Sequence, residues 1–261
     1  MCTLVVLHRA IPGVLLLVAA NRDEFFDRRA EGPALRRTPG GVSVVAPLDA
    51  RGGGTWLGLS ARGVFAALTN VAGAEPDPGR RSRGLLVLAA LEAGSAREAA
   101  ERARAVAPRD YNPWNLFVGD AREAFAVSCL GEPRCHRLEP GVHVVGNVAL
   151  DAPPTPKMAR LREQAQQLAG RALPDALAGL ADLSRSHESS DPLGSACVHT
   201  ERYGTRSSAL LALGDRGGES AFHFADGAPC EHEYRLFTPL LHELARGTRL
   251  VEGESVARKV S

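Results

Sequence analysis

The residue best suited to chemistry in this sequence is Cys2, which directly follows Met1. If Met1 is removed, a thiol and a free α-amine lie on one residue. An α-amine titrates at about 7.7–8.0 in a model peptide, so near neutrality part of it can accept the thiol proton. Cysteine is also the strongest side-chain nucleophile near neutral pH. The position therefore predicts a nucleophile with a built-in base. The alternative is that a cysteine at position 2 has no function.

Four polar residues, Asn-Arg-Asp-Glu at positions 21–24, follow an apolar segment without a break. Thr3–Leu7 and Val14–Ala20 are predicted to be strands, and Pro12-Gly13 between them is a strong turn signal. A hairpin of these strands brings the four polar residues back beside Cys2. Burying such a group is costly unless it is paired or used. The sequence leaves three interpretations open: a functional cluster, an exposed turn, or a structural ion pair between the arginine and the aspartate.

Two further motifs could contact a ligand. The run Gly52–Gly54 precedes Thr55 and Trp56, but it has neither the ending of a phosphate-binding P-loop nor dinucleotide spacing. Glycines allow a close approach of the backbone, either to a ligand or to the packed ring of Trp56. The second motif, Tyr203–Arg206, is either a turn entering a strand or the support of an arginine that binds a carboxylate or phosphate. The fork geometry of arginine favours the second interpretation.

The ordered set of motifs is similar to that of the NRDE proteins, also called the transport-and-Golgi-organisation protein 2 family. The resemblance extends from residue 1 to the last predicted strand, which ends at Thr238. The motifs that carry it are Met1-Cys2, Asn21–Phe25, Gly53–Gly58, Arg62-Gly63, Ala67–Asn70, Ser82–Gly84, Tyr111-Asn112, Asn115-Leu116, Gly146-Asn147 and Tyr203–Arg206.

That family resembles the N-terminal-nucleophile hydrolases, in particular penicillin V acylases and bile-salt hydrolases. The resemblance implies that Cys2 is the nucleophile, that Asp23 holds the amine, and that Asn70 and Asn147 form the oxyanion hole. Asn21, Arg22, Glu24, Gly54, Thr55, Trp56 and Arg206 form the candidate substrate-binding set.

One departure from the acylase pattern affects an arginine. The acylases carry an arginine three residues before the aspartate, where this sequence has Ala20, whereas Arg22 directly precedes Asp23. A shift of one position on a strand turns a side chain to the other face. Arg22 is therefore not a simple substitute for the acylase arginine.

The resemblance implies two competing functions. The first is hydrolysis of a C–N amide bond in a small-molecule substrate by Cys2, with no cofactor required. The second is a non-catalytic ligand-binding or trafficking role in the same pocket, because relatives are linked to haem mobilisation, to acyl-CoA or lipid handling and to organisation of the secretory pathway. Haem is then the alternative bound ligand. A shared fold does not decide between them.

Composition fits a soluble enzyme or binding protein. The formal net charge is +1, from 31 basic and 30 acidic residues, which gives no electrostatic footprint for nucleic acid. The run Arg80–Arg83 is more typical of a solvated loop before a helix than of an anion site. Val14–Ala20 is too short to span a bilayer, no targeting signal is visible, and a cytoplasmic location is expected. The composition fixes no oligomeric state.

The cysteines and histidines predict neither disulfides nor a metal site. Five widely spaced cysteines argue against a disulfide framework. The eight histidines form no His-x-x-x-His pair and no Cys-x-x-Cys is present, so no structural zinc is predicted. Covalent haem attachment is not indicated either, because Cys-x-x-Cys-His is absent.

Apolar segments and turn signals alternate in blocks of strands and helices. Strands dominate residues 3–70, and helices are predicted at Gly84–Ala93 and Ser95–Ala107, the second with a capping box. Four strands follow between residues 115 and 146. Further helices are predicted at Pro156–Ala169 and from about Pro174 to Ser184, then a mobile polar loop at 187–195 and strands at 195–200, 207–213, 220–225 and 233–238.

This pattern predicts an α+β protein with layered sheets. The four-layer αββα sandwich of two antiparallel sheets is what the resemblance implies. Residues 1–240 are expected to form one domain, and residues 241–261 a short helix with a flexible C-terminal tail.

Overall fold

The computed structural model describes residues 2–73, 75–187, 191–215 and 219–257, with side chains described up to residue 247. Met1, residues 188–190 of the predicted polar loop and residues 258–261 of the predicted tail lie outside the described residues.

Within those residues the chain forms thirteen strands and five α-helices. The strands are β1 (Cys2–Ile11), β2 (Val14–Phe25), β3 (Ala30–Arg37), β4 (Ser43–Asp49), β5 (Leu57–Ser60), β6 (Phe65–Asn70), β7 (Trp114–Gly119), β8 (Ala124–Leu130), β9 (Glu132–Leu138), β10 (Gly141–Val145), β11 (Tyr203–Gly214), β12 (Ala221–Ala225) and β13 (Arg235–Leu236). The helices are α1 (Gly84–Leu91), α2 (Ala96–Arg104), α3 (Pro156–Gln166), α4 (Leu173–Arg185) and α5 (Thr238–Ala257).

The strands form two antiparallel sheets. The first has the order β10-β1-β2-β11-β12-β13, and the second runs in order from β3 to β9. The chain enters the first sheet through the β1–β2 hairpin, returns to it with β10, and adds β11, β12 and β13 after α4. The first sheet is therefore assembled from segments that lie far apart in the sequence.

The alternation of side chains along β1 and β2 sets the layers. Even-numbered residues such as Leu4 and Val18 pack between the two sheets, and odd-numbered residues such as Val5 and Leu17 pack under α3 and α4. Helices α1 and α2 cover the outer face of the second sheet. The four layers are α, β, β, α, so the predicted α+β sandwich of two antiparallel sheets is confirmed.

Strand β2 extends beyond Val14–Ala20, the apolar segment from which the strand is predicted. It continues to Phe25 because β11 pairs with it along its whole length, including the polar residues 21–24. Of the three interpretations of that polar group, the exposed turn is therefore excluded. The predicted turn at Pro12-Gly13 closes the hairpin, with Gly13 at φ 70°.

Several local expectations differ from the structure for identifiable reasons. Residues 195–198 are buried, but the segment 195–200 makes only the single bridge His199↔Gly204, so its apolar pattern reflects packing and not sheet pairing. Edge strand β3 contains Pro33, which is tolerated at a sheet edge and hides the strand pattern. Helix α5 has 20 residues, longer than the short helix expected, and inserts Leu241 and Leu244 between the sheets.

At the start of α2, Ser95 accepts from the Glu98 N–H as predicted, while the Glu98 carboxylate accepts from Gly94 N–H, one residue before the cap. No helix in the described part of the chain is both long and apolar enough to cross a membrane.

Candidate active site

Cys2 begins β1 and lies directly opposite Arg22 on β2. Their even numbering directs both side chains into the space between the sheets. Cys2 is half-buried there, and the guanidinium carbon of Arg22 lies 4.4 Å from the centre of the Trp56 ring. Trp56 belongs to the core between the sheets and precedes β5. The structure thus brings three of the predicted residues together at one end of the sandwich.

Opposing effects act on the Cys2 thiol. Burial is the largest and raises its pKa, and the nearby charge of Asp23 raises it further. The charge of Arg22 and the backbone N–H of Asp23, which donates toward the sulfur, lower it. The net direction is upward, so forming the thiolate requires a base or an additional positive charge. Two such charges act on Cys2 from other elements, Arg83 before α1 and Lys157 on α3.

The Asp23 carboxylate points to the opposite face of the sheet from the Cys2 thiol, toward the helices. It is 1% exposed, and its Oδ1 accepts a hydrogen bond of 2.7 Å from Thr205 Oγ1. Burial raises the Asp23 pKa to about 6, although the charge of Lys157 and the Thr205 bond oppose the shift. The Tyr203 hydroxyl also donates to the Asp23 carbonyl at 2.8 Å. Asp23 is therefore a buried group whose titration lies close to neutrality.

Asn70 and Asn147 are in direct contact, although they belong to different sheets. Asn70 ends β6, and its carbonyl oxygen accepts a 2.8 Å hydrogen bond from Asn147 Nδ2. Asn147 follows β10, and continuing the register Leu4↔Val145 brings it to the Cys2 end of β1. The structure therefore brings both predicted oxyanion-hole residues to the end of the sandwich where Cys2 lies.

A buried network fixes the segment that carries Asn147. Asn115 is fully buried, and its Nδ2 donates to Gly146 O at 3.1 Å and to Val148 O at 2.9 Å. Thr69 donates to the same Gly146 oxygen at 2.5 Å. These bonds hold the backbone on both sides of Asn147.

Three members of the predicted substrate-binding set make structural contacts. Asn21 lies on the outer face, and its Nδ2 donates to Ser184 O and Ala196 O, both at 2.9 Å. Thr55 Oγ1 donates to the backbone at Leu57, 2.8 Å away. A Cβ on Gly54 would lie 2.4 Å from the carbonyl carbon of Gly84, so this glycine is required by the packing of α1.

Glu24 and Arg206 lie at the margin of the site. Glu24 shares the inner face with Arg22 and forms an ion pair with Arg28, 3.5 Å away. Arg28 in turn binds Asp49 through two hydrogen bonds of 3.2 and 2.6 Å. Arg206 occupies the bulge of β11 opposite the end of β2, and its guanidinium lies 5.9 Å from the Phe26 ring.

Sequence reasoning missed three residues that act on the cluster. Thr205 lies inside the motif Tyr203–Arg206, in which the sequence favours the arginine as the functional member. Lys157 is one of only two lysines in a chain whose other basic residues are all arginine, which is a weak signal. Arg83 was assigned to a solvated loop, whereas burial lowers its pKa and it acts on Cys2.

Known structures with the same arrangement of layers are N-terminal-nucleophile hydrolases. A penicillin V acylase from Agrobacterium tumefaciens matches with a TM-score of 0.57 and 14% identity, over 86% of this chain and 83% of that chain. A Caenorhabditis elegans ortholog of N-acylethanolamine-hydrolyzing acid amidase matches with a TM-score of 0.54 and 13% identity, over 80% and 92%. A mutant of the conjugated bile acid hydrolase from Clostridium perfringens matches with a TM-score of 0.53 and 11% identity, over 91% of this chain and 96% of that chain. At these identities the likeness establishes the fold alone.

Sequence similarity identifies the family. The family model described as Transport and Golgi organisation 2 matches residues 1–223, and the chain belongs to this family. The mouse Transport and Golgi organization 2 homolog is 33% identical over 147 residues, which are 53% of this chain and 52% of the relative. The human homolog is 35% identical over 147 residues, with the same coverage. The chain thus spans about half the length of the curated relatives it matches.

Proposed function

We propose that this protein is a cysteine-nucleophile amidohydrolase that cleaves the C–N bond of a small N-acylated amine after removal of Met1. The observation that best supports this proposal is the pairing register of β1 and β2. It holds the Cys2 sulfur opposite Arg22, against the Asp23 N–H, at the sandwich end that also holds Asn70 and Asn147.

In this mechanism the α-amine of Cys2 takes the thiol proton while the sulfur attacks the substrate carbonyl carbon and a C–S bond forms. The oxyanion is stabilised by N–H groups of Asn70 and Asn147; the Asn147 amide has a second N–H beyond the one bound to Asn70. The ammonium returns its proton to the leaving nitrogen as the C–N bond breaks. Water then attacks the thioester carbon while the amine accepts a proton from it. As the C–S bond breaks, the ammonium gives that proton to the sulfur, the carboxylic acid leaves, and the free Cys2 thiol and α-amine are restored.

The positive charges around the thiol support an acyl substrate that carries an anionic group. The charges of Arg22 and Arg83 both act on Cys2, and a guanidinium is suited to bind a carboxylate through two hydrogen bonds. The solved relatives are named for penicillin V, N-acylethanolamines and conjugated bile acids, which are all acylated amines. We therefore take an N-acyl amine as the substrate class.

The first test is the intact mass of the full-length protein, purified without an N-terminal tag, together with turnover of N-acyl amine substrates. We expect a species lacking Met1, hydrolysis that is lost in Cys2→Ala, and unchanged hydrolysis in the control Cys135→Ser on β9. Asn70→Ala should lower kcat by about 100- to 1000-fold if its amide stabilises the oxyanion. Complete retention of Met1, or full turnover by Cys2→Ala, contradicts the proposal.

The alternative, a non-catalytic carrier, is favoured by one observation: burial raises the Cys2 pKa and so opposes the thiolate. In that case Arg22 and Arg83 would bind the anionic groups of haem or of acyl-CoA. Titration with haem, read by the Soret band, and with palmitoyl-CoA, read by calorimetry, tests the carrier. Saturable binding of about one ligand per chain, weakened by Arg83→Leu but not by Arg104→Leu, supports it, and flat titrations exclude it.

A further inference from the structure

A second group of reactive side chains lies in the loops beyond α4 and β12. It consists of His187, Cys197, His199 and Cys230, and we refer to it as the Cys–His cluster. Cys197 is fully buried, while the other three are partly or fully accessible. One ligand atom from each residue lies within 4.8 Å of those of the other three. The cluster is separate from the hydrolase mechanism, which uses none of its members.

Two of the three short distances within the cluster match the edges of a metal-centred tetrahedron, and the third is slightly shorter. Cys197 Sγ lies 3.5 Å from Cys230 Sγ and 3.5 Å from His199 Nε2, and His199 Nε2 lies 3.1 Å from Cys230 Sγ. Zinc bonds of about 2.3 Å to sulfur and about 2.0–2.1 Å to nitrogen require ligand atoms about 3.3–3.8 Å apart. A disulfide would need the two sulfurs about 2.05 Å apart.

The local backbone holds these side chains in place. Cys197 and His199 are two residues apart, and Cys197 Sγ and His199 Nε2 lie on the same side of the chain, 3.5 Å from each other. The Cys197 N–H donates to Ser186 O at 3.1 Å, and the Val198 N–H donates to Thr205 Oγ1 at 2.8 Å. Cys230 lies in a turn closed by hydrogen bonds to Ala228 O. The cluster is thus supported by backbone bonds on both of its sides.

The second ring nitrogen of His199 has a carboxylate partner. Nδ1 lies 3.9 Å from Glu231 Oε1, on the side of the ring away from the sulfurs. A carboxylate that accepts a hydrogen bond from the second nitrogen of a histidine is a common support for metal ligands. Glu231 lies near that position, at a distance longer than a hydrogen bond. His187 lies beside His199, with ring centres 5.0 Å apart, and completes a set of two imidazoles and two thiols.

We propose that the Cys–His cluster is a structural zinc site. Two thiolates and two imidazoles in a tetrahedral arrangement suit zinc, and four protein ligands leave no position open for a substrate. The metal would join His187, the segment 197–199, the turn at Cys230 and, through the Val198–Thr205 bond, the residue that binds Asp23. Its expected role is to hold that segment against the first sheet.

The test uses full-length protein purified under reducing conditions from zinc-supplemented cells, with any histidine tag removed. We expect about one zinc per chain by mass spectrometry of the elements. Changes to outer-shell partners alone cost metal sites about 10- to 100-fold in affinity, so Cys230→Ser and His199→Ala should lower the zinc content at least about tenfold. The controls Cys135→Ser and His242→Ala should leave it unchanged.

Cobalt titration of chelator-treated wild-type protein is the second measurement, and it does not depend on the folding of any variant. We expect visible bands typical of tetrahedral cobalt and a near-ultraviolet thiolate-to-cobalt band. The proposal is overturned if wild-type protein binds neither metal, if Cys230→Ser keeps its zinc, or if the intact mass is lower by two hydrogens because Cys197 and Cys230 form a disulfide.

Discussion

Replacing Asp23 by asparagine tests the electrostatics of the candidate site most directly. Burial raises the pKa of this carboxyl from 3.8 to about 6. Between these two values the folded protein therefore binds more protons than the unfolded chain. Linkage then makes the free energy of unfolding fall as pH rises through this range, and it stays at the lower level above pH 6. The pKa difference corresponds to about 3 kcal/mol.

The amide side chain of Asp23→Asn keeps an oxygen that accepts from Thr205 Oγ1 but cannot ionise. We therefore expect the unfolding free energy of the variant, relative to wild type, to increase by about 3 kcal/mol between about pH 4 and about pH 7. Urea unfolding followed by tryptophan fluorescence at several pH values measures this difference. The exposed Asp226→Asn is the matched control, and its difference from wild type should not change with pH.

If the difference in unfolding free energy between Asp23→Asn and wild type is constant across this pH range, the reasoning is refuted. A difference of the opposite sign would mean that the charge of Lys157 outweighs burial. Lys157→Met checks this point independently: without the lysine the pKa of Asp23 should rise further, and the loss of stability should extend to higher pH.

Two further predictions concern packing around the site. Gly54→Ala places a Cβ 2.4 Å from the carbonyl carbon of Gly84 and should destabilise by about 1–3 kcal/mol, whereas Gly32→Ala has nothing within 4 Å and should be close to neutral in thermal unfolding. Asn115→Ala leaves Gly146 O without its amide donor and should cost about 2–3 kcal/mol by urea unfolding. A value within about 0.5 kcal/mol of wild type would contradict either one.

The sequence predicts those parts of the fold that local pattern controls. The alternation in β1, the Pro12-Gly13 turn and the Ser95 cap are each set by residues within a few positions of one another. The length of β2 is different, because pairing with β11, about 180 residues away in the chain, is what extends it. No window around residues 21–24 contains that information.

The same limit applies to the two sites. Cys2 and the residues 21–24 are joined by one hairpin, so their proximity follows from a short stretch of sequence. Thr205, Lys157 and Arg83 reach them only through the assembled layers. The Cys–His cluster contains no Cys-x-x-Cys pair, and only Cys197 and His199 are close together in the sequence. For that reason the sequence predicts no metal site.

The two faces of β2 limit how Cys2 and Asp23 can cooperate. A strand sends successive side chains to opposite faces, so the thiol opposite Arg22 and the buried carboxylate of Asp23 are separated by the sheet itself. An α-amine on Cys2 would belong to the backbone, and it could contact the thiol of its own residue on one side and the carboxylate on the other. The arrangement therefore favours a backbone amine as the base, and it makes the processing of Met1 the step on which the proposed hydrolase depends.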